Sequence, residues 1–263
     1  RTKAILPVDY AGHPADLDPI MKLAQDHGLV VIEDATESLG ARYKGRMAGH
    51  LGDIACLSFN GNKLITAGGG GMIVTDNEAW ANKAEYLTTQ ANDGQSEYIH
   101  HQIGYNYRLS NLQAALGCAQ LEKINEHIQA KCAIAASYLD SLQSVTGLSP
   151  MAQAPWAESV FWLFTVLVDE AFYGMDSRSL MNHLAHERIQ ARPLWQPIHL
   201  SPAHAGCHVY HGGIAERLHR QALSLPSSVG LGREDLERVV ATLTLLGSGA
   251  KGFSQASKPG APV

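Results

Sequence analysis

The sequence predicts an α/β protein, a mostly parallel sheet followed by a small α+β domain. Three observations carry that expectation. Strand and helix signals alternate through the first hundred residues, as they do where parallel strands are joined by crossover helices. Leu29-Val30-Val31-Ile32 is an uninterrupted apolar run, the pattern of a central strand covered on both faces. A linker over residues 149–155 then separates this part from one of different composition.

In chain order, residues 3–8 read as a short strand. Asp18-Pro19 supplies a helix N-cap with proline at the first helical position, Ile20, Leu23 and Ala24 give the apolar spacing, and Gly28 stops the helix. The apolar run 29–32 ends in Glu33-Asp34. Strands follow at 41–43, with a turn at Lys44-Gly45, at 53–59, and at 71–75 after Gly68 to Gly71. Residues 77–89 read as a helix with Ala81, Ala84 and Leu87 on one face. A single long helix is expected over 110–144, capped by Ser110 and apolar at Leu112, Ala115, Leu116, Ala119, Ile124 and Ile128. Beyond the linker the signals give a strand at 160–168, a helix at 177–186, a strand at 189–193, and helices at 213–222 and 233–246. The expected domains are 1–147, including the bridging helix 110–144, a small domain over 148–248, and a disordered Gly/Pro/Ser tail over 249–263.

Composition narrows the function classes. A chain of 263 residues, 45% hydrophobic and 17% charged, has the make-up of a compact protein. Lys plus Arg at 20 against Asp plus Glu at 25 gives −5, which offers no broad basic surface for nucleic acid or anionic lipid and favours small metabolites as partners. No apolar run reaches the ~18 to 20 residues of a membrane span and no signal-peptide pattern opens the chain, so a cytoplasmic location is the default. Cys56, Cys118, Cys132 and Cys207 lack CxxC spacing and are expected to be packing residues. His183 with His186, and His204, His208 and His211 around Cys207, match no HExxH arrangement, so no metal is expected. His100-His101 is expected near the site.

Two stretches carry chemistry. Asp34 stands at the carboxyl end of a buried parallel strand, where open α/β sheets place ligand sites; the plainer role for it is a helix N-cap or an ion pair. Lys63 follows the next strand end in Ser58-Phe59-Asn60-Gly61-Asn62-Lys63, ahead of four glycines whose lack of side chains suggests close approach of something flat or bulky. Neither a Walker loop nor GxGxxG fits, because Gly71 runs into a strand and not a helix. A strand-end Asp with a loop Lys about thirty residues later suits pyridoxal phosphate, with Lys forming the Schiff base and Asp pairing with the pyridinium nitrogen.

The ordered motifs Glu33-Asp34-Ala35-Thr36-Glu37-Ser38-Leu39-Gly40-Ala41, Lys44-Gly45-Arg46 through Gly49-His50-Leu51-Gly52-Asp53, Ser58 to Lys63, and Gly104-Tyr105-Asn106-Tyr107-Arg108-Leu109 resemble the DegT-type nucleotide-sugar aminotransferases. The resemblance implies a fold-type I pyridoxal phosphate transferase whose large domain is incomplete at its N-terminus, because the phosphate-binding helix start and the ring that stacks on the cofactor lie in a preceding segment in that family. It implies Lys63 as the Schiff-base and proton-shuttling residue, Asp34 at the pyridine nitrogen, Glu37 near the phenolic oxygen and Ser58 on the phosphate. Asn106 and Arg108 would reach the neighbouring subunit's site of a homodimer, for phosphate and anionic groups respectively. His199, in a segment similar to the family's sugar-facing loop, would contact substrate.

Thr36-Glu37, the Asn60 to Lys63 loop and Thr89-Gln90-Ala91 are most similar to the branch that aminates the C4 ketone of a UDP-linked 4-keto-6-deoxy-N-acetylhexosamine, with glutamate as donor, in bacterial surface-glycan sugar biosynthesis. The alternatives are a 3-keto sugar substrate or a catalytically impaired binding or regulatory protein on the same fold. The dehydrase-like variant of the family carries histidine in place of the lysine, and Lys63 argues against it.

Overall fold

The computed structural model describes residues 1–94 and 96–253, with 248–253 described by backbone alone. From residue 254 onward, the expected disordered tail lies outside the described residues. The chain forms two compact units, one of Arg1–Cys132 with Gln153–Trp162, the other of Ala133–Ala152 with Leu163 onward.

In the first unit, β1 (Ala4–Ile5), α1 (Leu17–His27) and β2 (Val30–Asp34) make a parallel crossover, with Ala4 opposite Val30. Helix α1 begins earlier than the sequence suggests. Asp16 is its N-cap residue, and Asp18 lies in the first turn, where its carboxylate is occupied by Lys44 at 2.6 Å and Arg46 at 2.7 Å. Gly28 ends it as expected, in the left-handed conformation at φ 63°. The hairpin β3 (Arg42–Tyr43) and β4 (Arg46–Met47) turns through Lys44 and Gly45, both at positive φ as a two-residue turn of this hand requires.

Strand β5 (Ile54–Ser58) pairs parallel with β2, and β6 (Gly71–Val74) runs antiparallel to β5, giving the sheet order β1-β2-β5-β6. The carboxyl ends of the two inner strands therefore carry Asp34 and Ser58. Within β2 the side chains alternate, so Val31 and Glu33 are buried together while Asp34 takes the other face. Leu17, Tyr43 and Leu51 form a core cluster beneath α1 and the hairpin.

Helix α2 (Glu78–Thr88) is capped by the Asn77 side chain. The expected single helix from 110 is two, α3 (Asn111–Leu121) and α4 (Ile124–Leu142). Ser110 and Gln113 form a full capping box. The break has a readable cause, since the apolar positions step by three or four up to Ala119 and then by five to Ile124, which takes the two stripes out of phase. After α4, β7 (Leu148–Pro150) joins the second unit, while β8 (Ala157–Glu158) returns to pair with β3. The sequence places the domain boundary at 147/148; the compact units change over inside α4, and 153–162 belongs with the first.

The second unit is built on an antiparallel sheet, β10-β11-β9-β7, of β9 (Phe164–Val168), β10 (Arg192–Pro193), β11 (Ala222–Leu225) and β7. A short α5 (Glu170–Tyr173), α6 (Ser177–His186), α7 (Gly212–Gln221) and α8 (Arg233–Phe253) complete it. All four residues of β11 are buried. The sequence predicts a helix ending at 222 and no strand at 222–225; no turn residue separates β11 from α7 to mark it. Tyr138 stacks on Phe164 at 4.8 Å between centroids and donates to the Pro226 carbonyl at 2.8 Å. The last helix passes the predicted end at Leu246 and runs to Phe253.

The cysteines are not uniformly packing residues. Cys56 and Cys132 are half-buried, but Cys118 and Cys207 are exposed, Cys118 because α3 has no buried residue at all. No described helix is long and apolar enough to cross a membrane.

Candidate active site

The site assembles at the carboxyl ends of β2 and β5 in the first unit. Asp34 ends β2; its Oδ1 accepts the Thr36 N–H at 3.2 Å, while Oδ2 accepts no hydrogen bond among the described residues. The chain then turns through Ala35 to Ala41, closed by the Ser38 N–H to the Ala35 carbonyl and the Ala41 N–H to the Ser38 carbonyl. This turn carries Glu37, whose Oε2 accepts the Ala11 N–H at 2.8 Å.

Lys63 sits in the loop after β5. Its own N–H bonds the Asn60 carbonyl at 3.1 Å, Ala67 N–H and Thr66 Oγ1 both donate to the Phe59 carbonyl, and Asn60 Nδ2 donates to Asn62 Oδ1. The loop is thus closed on itself, and the lysine side chain turns inward. Nζ lies 3.8 Å from Glu37 Oε1 and 4.1 Å from the centroid of the Trp162 ring, with the side chain only 14% exposed.

The electrostatics follow from this burial. Loss of water pushes the Lys63 amine below its ordinary range, opposed by the negative charges of Glu37 and Asp34. Burial likewise raises Glu37, opposed by the Ala11 N–H and Lys63 and assisted by Asp34. Tyr10 is raised by burial and by Glu37. An amine with a lowered pKa, a carboxylate with an open oxygen and a hydroxyl at the next strand end therefore share one edge of the sheet.

Of the residues named from sequence, Asp34, Glu37 and Lys63 come together, and Ser58 ends the adjoining strand, where its Oγ accepts the Asn60 N–H at 3.3 Å. Asn106 and Arg108 lie on an exposed segment, tied back by an isolated bridge between Thr89 and Asn106, and Arg108 makes no ion pair among the described residues. His100 and His101 are spent on their own loop, on the Gln90 carbonyl at 2.9 Å and Asp93 at 2.9 Å. In the second unit, His199 Nε2 meets Glu216 Oε1 at 3.0 Å.

Two of the four glycines, Gly70 and Gly71, are crowded by the chain itself. A side chain on Gly71 would meet the Leu57 carbonyl oxygen at 2.4 Å and one on Gly70 would meet Leu109 at 2.3 Å. At these two positions the close approach is by neighbouring protein, while a side chain on Gly68, at φ +77°, would meet nothing within 4 Å.

Sequence inspection missed the supports of the site. Glu33 is fully buried and accepts three backbone N–H groups, from Gly49 at 2.6 Å, Leu51 at 2.8 Å and Gly52 at 3.0 Å. Asp9, also fully buried, accepts from Ser38 Oγ and the Ala15 N–H at 2.8 Å each. Burial, with Glu33 alongside, pushes Asp9 up to about 6. Trp162 sits outside every motif, and only a fold that returns 153–162 to the first unit brings it to Lys63.

An open α/β sheet with a half-buried lysine and a strand-end carboxylate on its carboxyl edge defines a class of site in which an amine does covalent work beside a fixed negative charge. The chain belongs to the DegT/DnrJ/EryC1/StrS aminotransferase family, whose pattern matches residues 1–244. It is 38% identical over 92% of its length to the putative pyridoxal phosphate-dependent aminotransferase EpsN of Bacillus subtilis, covering 62% of that protein. To the GDP-perosamine synthase of Caulobacter vibrioides it is 39% identical over 92% of its length, covering 66% of that protein. The crystal structure of S. venezuelae DesV in complex with a ketimine intermediate superposes with a TM-score of 0.85 at 35% identity, over 94% of this chain and 66% of DesV. The chain thus spans a little under two thirds of the length of these curated relatives.

Proposed function

We propose that the protein is a pyridoxal-phosphate-dependent sugar aminotransferase, moving an amino group from glutamate to the C4 ketone of a UDP-linked 4-keto-6-deoxy-N-acetylhexosamine in the cytoplasm. The observation that carries the reading is the half-buried Lys63 amine, lowered by desolvation and set beside Glu37 on the sheet edge that Asp34 ends. Family membership supports the amino-transfer chemistry, and the motif likeness of Thr36-Glu37, the Asn60 to Lys63 loop and Thr89-Gln90-Ala91 supports the C4 and UDP assignments.

The donor set fits this cofactor, since it provides an amine for a carbonyl, a carboxylate with an open oxygen for a ring N–H, and a hydroxyl for a phosphate oxygen. Pyridoxal phosphate, when bound, supplies a carbonyl that condenses with amines and a ring that withdraws electrons. Asp34 holds the ring-nitrogen proton in place through its free Oδ2. Lys63, once neutral, would take a proton from the reacting carbon and return it, and its lowered pKa reduces the cost of reaching the neutral form. Glu37, raised by burial, shares a proton with the phenolic oxygen. Ser58 donates to the phosphate. Asn106 and Arg108, exposed and unpaired by ion contacts, serve the neighbouring subunit of a homodimer, and His199 contacts the sugar nucleotide.

The test is glutamate consumption with a panel of nucleotide 4-keto and 3-keto sugars. Turnover with the UDP 4-keto substrate, lost in Lys63→Ala, is the expected result. Turnover only with a 3-keto sugar overturns the carbon assignment, and turnover only with GDP or dTDP sugars overturns the nucleotide. Sugar-nucleotide binding without transfer, unaffected by Lys63→Ala, overturns the enzyme reading.

A further inference from the structure

We propose that Trp162 is a positioning residue for Lys63: its indole face and the Glu37 carboxylate form a seat for the ammonium form of the lysine, the state in which it holds a proton while it is not bonded to the cofactor. The inference deepens the reading above, in which Lys63 is the amine that does the covalent work.

Two contacts from one side chain motivate it. The Trp162 ring is 3% exposed and receives Nζ at 4.1 Å from its centroid, where the negative face of an indole attracts a cation most strongly in a dry setting. Its Nε1–H donates to the Asn62 carbonyl at 2.8 Å, the residue directly before Lys63. The indole therefore fixes both the backbone that carries the lysine and the point where its amine rests. Glu37 closes the other side at 3.8 Å.

The seat is held by strained backbone. Phe161 occupies the left-handed region at φ 47°, unusual for a bulky residue. It is held there by its own N–H on Ser159 Oγ at 3.0 Å, and by Ser159 Oγ and Val160 N–H, both donating to the Gly12 carbonyl, at 2.9 and 3.0 Å. Gly12, at φ +94°, has no room for a side chain, which would stand 2.6 Å from the Trp162 nitrogen. The preceding residue, Ala11 at φ 56°, is the one whose N–H holds Glu37. One turn, Tyr10–Gly12, thus fixes both walls of the seat.

The groups that face the amine are Glu37 and Asp34, with Tyr10 beside Glu37. Burial drives the amine toward its neutral form, and the ring face and the carboxylates oppose it. Removing the ring while keeping an apolar wall should therefore lower the lysine pKa further.

The experiment measures the acylation rate of Lys63 against pH in the full chain without cofactor, using acetic anhydride and mass spectrometry of the Lys63 peptide. Trp162→Leu should raise the rate at pH 8 about 3- to 10-fold. An unchanged rate, or a slower one as water enters and the pKa climbs toward the ordinary value, overturns the proposal. Should Trp162→Leu fail to fold, incorporation of 5,7-difluorotryptophan keeps the shape and weakens the ring's negative face. It should raise the rate about 2-fold or more, and no change again overturns the seat. The labelling needs no cofactor. A normal shift in Trp162→Leu with no cofactor band in the unaltered protein therefore counts against the aminotransferase reading alone.

Discussion

Lys63 and Arg108 are two cations to which the sequence assigns ligand chemistry, and the fold treats them in opposite ways. Lys63 is 14% exposed, closed in by an indole, a carboxylate and a loop that bonds to itself. Arg108 stands in an exposed segment where Tyr98, Ile103, Tyr107 and Leu112 are each 71% exposed or more. Strand ends organise their side chains with contacts from the same chain. In the 98–112 segment the chain's own contacts hold His100, His101 and Ser110 but leave Arg108 and these apolar side chains exposed, and the proposed function assigns Arg108 to a subunit interface. The difference is that the fold of this chain encloses Lys63, whereas Arg108 is left exposed by it, as the proposed subunit role requires.

The largest expected break is Lys63→Ala, which should reduce amino transfer by about 10³-fold or more, roughly 4 kcal/mol of transition-state stabilisation, with little loss of thermal stability. Steady-state kinetics beside a melting curve check it. Glu33→Ala should act on stability instead. It strands three buried N–H groups, costing about 3 to 4 kcal/mol by denaturant titration, and disorders the 49–52 loop.

Asp9 sharpens the same side of the comparison through pH. Its folded pKa is raised to about 6, above the unfolded value, so the folded state binds the proton more tightly. Stability should therefore be greatest below pH 4 as far as this group is concerned, and fall by about 2 kcal/mol as pH rises from 4 to 6. Asp9→Asn, which keeps an acceptor for the Ala15 N–H and turns an amide donor toward Ser38 Oγ, should flatten that slope. The smallest stability effect belongs to the exposed side. Arg108→Ala should shift stability by less than about 0.5 kcal/mol while raising the KM for an anionic substrate about tenfold.

Much of the fold was readable because its signals are local. The apolar run into Glu33-Asp34, the Gly28 stop, the Lys44-Gly45 turn and the Ser110 cap all act within a few residues. Asp34, Glu37 and Lys63 could be named because they lie in short motifs at strand ends. What sequence did not give depends on long-range return. Trp162 reaches Lys63 only because the chain comes back after α4, and Glu33 reads as half of an acidic pair until the 49–52 loop wraps its carboxylate. The glycines 68–71 read as room for a ligand, and at Gly70 and Gly71 the fold fills that room with Leu109 and Leu57.

The most direct test of the central claim titrates pyridoxal phosphate into the protein and into Lys63→Ala while following absorbance at the violet edge of the visible range. The account predicts a saturable band in the unaltered protein and none in the variant. No band in the unaltered protein, or the same band in both, would contradict it.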